Sequence, residues 1–453
     1  MTDQHIHDPL QNHGPGCDQD HVSSYWAATA GEPPEDDGPV IADASVDVAV
    51  IGGGYTGLSC AYHLARDHGI EATVLEANRT GWGCSGRNGG HVRPSIGKMT
   101  HGEAIRKWGL GVARRVDDEI RAAMSTFLDV VAQSPIECEL IEGGVIKVAH
   151  RPNRFHDLAN DSRLLNETFG HQTELVPAED ARRRFMSGPE VHGALRYPDG
   201  VGIHALKLAH GLQALARNAG ATVYPASEVA GWSKVDGGHR LSTPGGTITA
   251  RRVVMASNGY TAERLHPAIK SRLLPVLSHI IVTRPLNAEE IAATAFATAM
   301  PVTDTRHINQ YYRLLSDGRL LFGSRGAPND NAASRVKQRQ FLIDRLGTKF
   351  PPLAGIEVDY DWNGWVCLTY DWIPHISQAE DDPSVHYAMG YAGSGIAFAV
   401  HAGKRLAARI AGAEDDLPDL PTFTRRMPKY PFAQFRRLGL RLGIAWLQMQ
   451  DNR

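Results

Sequence analysis

The stretch Val46-Asp47-Val48-Ala49-Val50-Ile51-Gly52-Gly53-Gly54-Tyr55-Thr56-Gly57-Leu58 decides how the chain folds. Val46 to Ile51 is apolar except for Asp47, the texture of a strand buried on both faces of a parallel sheet. A glycine turn of the form G-x-G-x-x-G follows directly. A helix is then expected from about Thr56 to His68, with Leu58, Ala61, Tyr62, Leu64 and Ala65 on its inner side. The next strand, Glu71 to Glu76, ends 19 residues after Gly57. Each position has a mechanism in dinucleotide binding. Gly52 permits the tight turn, Gly54 lets a pyrophosphate approach the backbone, and Gly57 lets helix and strand pack closely. The helix N-terminus offers unpaired N–H groups and a positive dipole end to phosphates. Glu76 can accept hydrogen bonds from an adenosine ribose.

Two further glycine segments bear on which dinucleotide is held. Ser85-Gly86-Arg87-Asn88-Gly89-Gly90 follows Glu76 closely, and Gly390-Tyr391-Ala392-Gly393-Ser394-Gly395-Ile396 opens an apolar helix late in the chain. Three contact points suit a long ligand with an isoalloxazine at its far end, so the expected cofactor is FAD rather than NAD.

Composition narrows the partners. The 453 residues carry 47 Lys+Arg against 50 Asp+Glu, a net charge of −3 that offers no global field for nucleic acid. A small-molecule substrate is expected instead. Five scattered cysteines without C-x-x-C exclude a disulfide scaffold and a zinc ribbon. His5, His7, His13 and His21 lack regular spacing, and no metal is expected. The first residues have no signal-peptide pattern and no run reaches the roughly 18 apolar residues of a membrane span, so the chain reads as cytoplasmic.

The texture divides the chain. Residues 1–45 read as a polar arm with one aromatic island, Tyr25 and Trp26. Segments 46–98, 199–272 and 357–412 carry the α/β pattern of a nucleotide-binding domain. Segments 99–198 and 273–356 form an inserted substrate domain, with a long amphipathic helix from about Gly102 to Gln133 and antiparallel strands after residue 275. Residues 413–453 form a tail. The expected fold is α/β: a Rossmann-like FAD-binding domain interleaved with a mixed-sheet α+β substrate domain.

At Ser24-Tyr25-Trp26-Ala27-Ala28-Thr29, the fingerprint Val50 to Leu58, the block Gly83 to Gly90, GYAGSGIA and the tail motifs, the chain resembles the D-amino-acid-oxidase superfamily of FAD proteins. It is most similar to the gamma-glutamylputrescine oxidoreductase branch. The resemblance implies a glutathione-reductase-like FAD domain and oxidation of a C–H bond next to an amine nitrogen. Carried over by position, Gly52, Gly54, Tyr55, Thr56, Gly57 and Glu76 hold the ADP half. Ser85, Gly86, Arg87, Asn88, Gly89 and Gly90 lie along the pyrophosphate and isoalloxazine, and Val229 presents backbone to adenine. Gly393, Ser394, Gly395 and Ile396 cap the pyrimidine carbonyl with helix-N-terminal amides. Some relatives attach FAD to a cysteine in the segment matching Gly364 to Pro374, where Cys367 sits; the pattern WNGWVCLTYDWIPHI is nearer the non-covalent branch.

No second G-x-G-x-x-G and no redox cysteine pair is visible, so electrons are expected to enter from an organic amine and leave to O₂ or another acceptor. Aromatic walls that disfavour the ammonium ion are sought among Tyr311, Tyr312, Trp362, Trp365, Tyr370 and Trp372. Arg313 is the candidate anchor for a substrate carboxylate. His91, after the flavin glycines, and His204, where the chain re-enters the FAD domain, are candidates for orienting substrate or assisting O₂ reduction. A non-catalytic FAD-binding subunit and a sarcosine-oxidase-like N-demethylating enzyme are the alternatives. In the tail, Phe432, Phe435, Leu438, Leu442, Ala445 and Met449 recur at helical spacing beside Arg436, Arg437 and Arg441. This stripe either packs on its own protein or a sister subunit, or touches a membrane or an electron-accepting partner.

Overall fold

In the computed structural model the described residues are 7–393, 395–413 and 417–451. The strand that opens the decisive stretch runs Ala44–Ile51 and occupies the middle of a sheet. Gly246–Met255 pairs with it in parallel on one side and Ala72–Leu75 on the other. Val385–Met389 and Thr222–Tyr224 extend the parallel order outward, and His375–Gln378 closes one edge antiparallel. The hairpin Gly231–Val235 and Gly238–Thr243 attaches to the first half of Gly246–Met255. Val48, Ala49 and Val50 are fully buried, as apolar side chains on both faces require. Asp47, the polar exception, lies near the strand's exposed start, where Arg251 and Arg252 donate to its carboxylate at 2.9 and 2.7 Å.

Helices Tyr55–His68, Ala205–Asn218 and Ile396–Ile410 join these strands in the largest apolar core. Gly57 allows the close approach: a Cβ there would stand 2.0 Å from the carbonyl oxygen of Gly52. No larger residue fits without opening the turn.

A second sheet of eight strands carries the inserted segments. Leu274–Pro285 lies between Arg319–Ala327 and Val358–Leu368, both antiparallel to it. Gln310–Leu314, Val302–Asp304, Val145–Val148, Ala194–Tyr197 and Glu174–Val176 continue the order. Val358–Leu368 therefore belongs to this sheet, although its segment reads as part of the nucleotide-binding texture. Its pairing with Leu274–Pro285 over the whole strand makes that assignment, which local texture does not carry. The long helix is His101–Gln133, opened by a capping box between Thr100 and Glu103 and kinked at Gly109. It packs on the flavin-side helix Ile396–Ile410 through a buried network. Glu119 accepts from His401 at 2.7 Å and from Arg405 at 2.8 Å. Among the described residues no helix is long and apolar enough to cross a membrane.

Candidate active site

An elongated cavity runs from the carboxyl ends of the parallel strands to the face of the second sheet. That is where an open α/β sheet presents its ligand crevice. At one end it is lined by Leu75, Glu76, Glu228 and Val229, in the middle by Gly52, Gly54, Tyr55, Thr56 and Ser85, and at the other end by Tyr311, Arg325 and Arg93. The helix Tyr55–His68 begins against its middle with Gly54 as a cap that contributes no side chain. Ser85 Oγ accepts from Tyr55 N at 3.0 Å, so the first and second glycine segments meet here. A Cβ on Gly54 would stand 2.8 Å from that oxygen, in space a phosphate needs. Glu76 accepts from Gly53 N at 2.7 Å and Asn78 N at 3.0 Å, leaving lone pairs toward the cavity. Its burial pushes the carboxyl pKa up, while those N–H groups pull it down. A backbone cradle with a helix N-terminus, an aromatic far end and an acid at the strand end fits FAD.

The remaining sequence candidates fall as follows. Arg87, Asn88, Gly89, Gly393, Gly395 and Ile396 line the cavity. Gly57, Gly86 and Gly90 lie behind it as packing glycines, and Ser394 lies outside the described residues. Asn88 is the keystone of its segment. Its side-chain amide donates to Ser85 O at 2.8 Å and Tyr55 Oη at 3.1 Å, and its backbone carbonyl accepts from Trp26 Nε1 at 2.7 Å. The SYWAAT arm thus folds back as the short helix Tyr25–Thr29 to hold the flavin segment.

Of the catalytic candidates, only His91 lines the cavity. Its Nδ1 lies 2.8 Å from Gly89 O and its ring meets Tyr311 edge to face. Burial, then the nearby Arg313 charge, lowers its pKa to about 3. Its Nε2 lies 3.3 Å from Tyr312 O, so both ring nitrogens face backbone carbonyls, and the lowered pKa makes the ring a weak base. His204 is fully buried elsewhere: its ring accepts from Lys207 N as a helix cap and meets Thr29 Oγ1 at 3.1 Å. Tyr312 points to the opposite face of its strand, into the second core, stacked on Phe322. The alternation of strand side chains makes Tyr311 the cavity tyrosine, its hydroxyl 2.7 Å from Ser278 Oγ. Arg313 shares Tyr311's face but is capped by Gly90 and Gly202, donates to Ile203 O at 2.6 Å and sits over Trp26. It does not reach the cavity.

Besides Arg87, the cations that do reach it, Arg93 and Arg325, were not singled out in the sequence. Arg325, from the neighbouring strand, donates to Ala392 O at 2.9 Å and packs against Gly393. Burial lowers its pKa to about 10 and also lowers that of Arg93. Lys98 adjoins them, and the Arg325 charge, then burial, lowers its pKa to about 7. Their signal is absent from local pattern because the three come from two distant segments. Of the aromatic candidates, Trp362 and Trp365 are core residues that donate to Arg87 O and His7 O. Tyr370 and Trp372 are half-exposed outside the cavity. Tyr260, Trp82 and Tyr391 form walls instead. Cys367 is fully buried away from the cavity, its thiol pushed up to about 12 by burial; Cys84 is the cysteine on the wall. His13, Gly14 and Pro15 of the arm also line the Glu76 end.

This architecture, a parallel-sheet nucleotide cradle facing a mixed sheet, is that of a flavin oxidoreductase. The chain belongs to the DAO family, described as FAD dependent oxidoreductase, which matches residues 47–409. It is an enzyme and its cofactor is FAD. It is 31% identical to gamma-glutamylputrescine oxidoreductase of Escherichia coli K12 over 96% of this chain and 99% of that one. Probable oxidoreductase OrdL of Rhizobium meliloti is also 31% identical, over 90% and 92%. Among solved structures, glycine oxidase from Geobacillus kaustophilus superposes with a TM-score of 0.69 at 22% identity, covering 85% of this chain and 99% of that chain.

Proposed function

We propose that the protein oxidises an amine that also carries a carboxylate, of the gamma-glutamylputrescine kind. The observation that carries this reading is the pair Arg93 and Arg325 at the Tyr311 end of the cavity, with Lys98 beside them in the adjoining pocket. Burial of Arg93 and Arg325, and the Arg325 charge beside Lys98, lower the proton affinity of these groups, and an anionic substrate group relieves that cost. The similarity to the Escherichia coli gamma-glutamylputrescine enzyme supports the same substrate class.

Bound FAD supplies a two-electron acceptor for the C–H bond next to the amine nitrogen. The chain's own residues do the rest. Arg325 and Arg93 bind the carboxylate and so set which carbon faces the flavin. Tyr311, held by Ser278, and the rings of Tyr260 and Trp82 exclude water and favour the neutral amine, the form that can release hydride. Loss of hydride and a proton leaves an imine, and water then releases the aldehyde and ammonia. We read the FAD as held without a covalent bond, since Cys367 lies in an apolar cluster.

Anaerobic mixing with gamma-glutamylputrescine, putrescine and amino acids, followed by admission of air, tests this reading. The flavin should bleach with the acylated, carboxylate-bearing amine far faster than with putrescine. Equal bleaching by putrescine would remove the carboxylate from the proposal. A flavin untouched by every amine yet reduced by NADPH would remove amine oxidation itself.

A further inference from the structure

The helix Arg436–Asp451 is tied down on one side only. Arg436 pairs with Glu263, Arg437 with Asp8, and Asp451 accepts from His307 N and Ile308 N at 2.8 and 3.0 Å. Its apolar stripe faces away from these ties. Phe432, Phe435, Leu438, Leu442, Trp446 and Met449 are between 53% and 76% exposed. The stripe expected from the sequence therefore exists, and the protein's own core does not cover it. Tyr370 and Trp372, half-exposed, stand on the same groove as Phe432, Phe435 and Trp446.

Charge selects what covers this face. Residues 420 to 450 contain six Lys or Arg and no Asp or Glu; three of the six, Arg426, Arg436 and Arg437, pair with Glu380, Glu263 and Asp8. Lys429 and Arg441 are exposed, and Arg106 and Lys107 add two more exposed cations on the groove. The acids there are already committed: Glu103 to the Thr100 cap and Asp371 to His375. A second copy meeting this face about a twofold axis would set one basic rim against another. An anionic lipid surface complements both the cations and the apolar stripe, with Trp446 and Trp372 suited to headgroup depth.

We propose that the helix Arg436–Asp451, with Tyr370 and Trp372, is an interfacial membrane-docking face that lies in the surface of an anionic bilayer. The groove shares Asn309 and Arg325 with the flavin cavity, so docking turns the mouth of the site toward the lipid.

Vesicle flotation with the full flavin-loaded protein tests this. The protein should float with phosphatidylcholine vesicles containing phosphatidylglycerol and stay behind with phosphatidylcholine alone, and raised salt should release it. Leu442→Ser with Trp446→Ser should abolish flotation. Lys429→Glu with Arg441→Glu should weaken it by roughly tenfold or more. Both variants should keep their flavin content, because none of these side chains lines the flavin cavity. Protein that never floats, or that floats equally on neutral vesicles, overturns the proposal. So does a concentration-dependent dimer that the double serine variant dissociates, which would make the face a subunit interface.

Discussion

In the middle of the cavity the contacts come mostly from backbone, whereas at the Arg325 end they come from long side chains carried on separate strands. The first region is made by Gly52, Gly54 and the opening of one helix, all within a few residues of each other. The second is made by Arg93, Tyr311 and Arg325, which meet only because two antiparallel strands and a short connection converge. The difference teaches that cofactor grip tolerates little change at single glycines. Substrate choice resides in side chains that can be exchanged with the flavin still in place.

The largest effect should therefore come from the cradle. Gly57→Ala puts a methyl against the Gly52 carbonyl, and we expect a colourless protein destabilised by roughly 3 kcal/mol. Flavin absorbance per chain and thermal melting measure both; full flavination would break the comparison at its stronger end. Next is Arg325→Met, expected to raise KM for a carboxylate-bearing amine by about 100-fold while kcat changes little, the signature of lost uniform binding. A drop in kcat alone would mean that Arg325 acts through the Ala392 turn instead.

Lys98 should give a smaller, pH-dependent effect. It is cationic below about pH 7 and neutral above. A simple carboxylate without an amine should thus bind best below that pH and lose affinity severalfold as pH rises through it. The Kd is readable from the flavin spectrum, and Lys98→Gln should flatten the profile. Smallest is a paired test of neighbouring residues. Tyr311→Phe loses the Ser278 hydrogen bond and should raise KM by about 1 kcal/mol equivalent. Tyr312→Phe, whose buried hydroxyl makes no hydrogen bond, should leave kinetics unchanged and stability equal or higher. Equal effects on KM would erase the distinction between the two faces of the strand.

Sequence alone determined the nucleotide cradle and its cofactor. The strand, the glycine turn, the helix from Tyr55 and the acid at Glu76 are contiguous, and their spacing is dictated by local backbone geometry. It also disclosed the amphipathic stripe from Phe432 to Met449, because helical periodicity is local. Only the tertiary structure decided which face of Gln310–Leu314 meets the cavity, favouring Tyr311 over Tyr312. It alone buried Arg313 and His204 behind Gly90 and the Tyr25–Thr29 helix, and brought Arg325 and Lys98 forward in their place. It likewise assigned Val358–Leu368 to the second sheet and left the tail stripe uncovered. The physical reason is common to all of these. Period-two alternation names two faces but not which one is the core, and strand pairing joins residues whose separation along the chain carries no local signal.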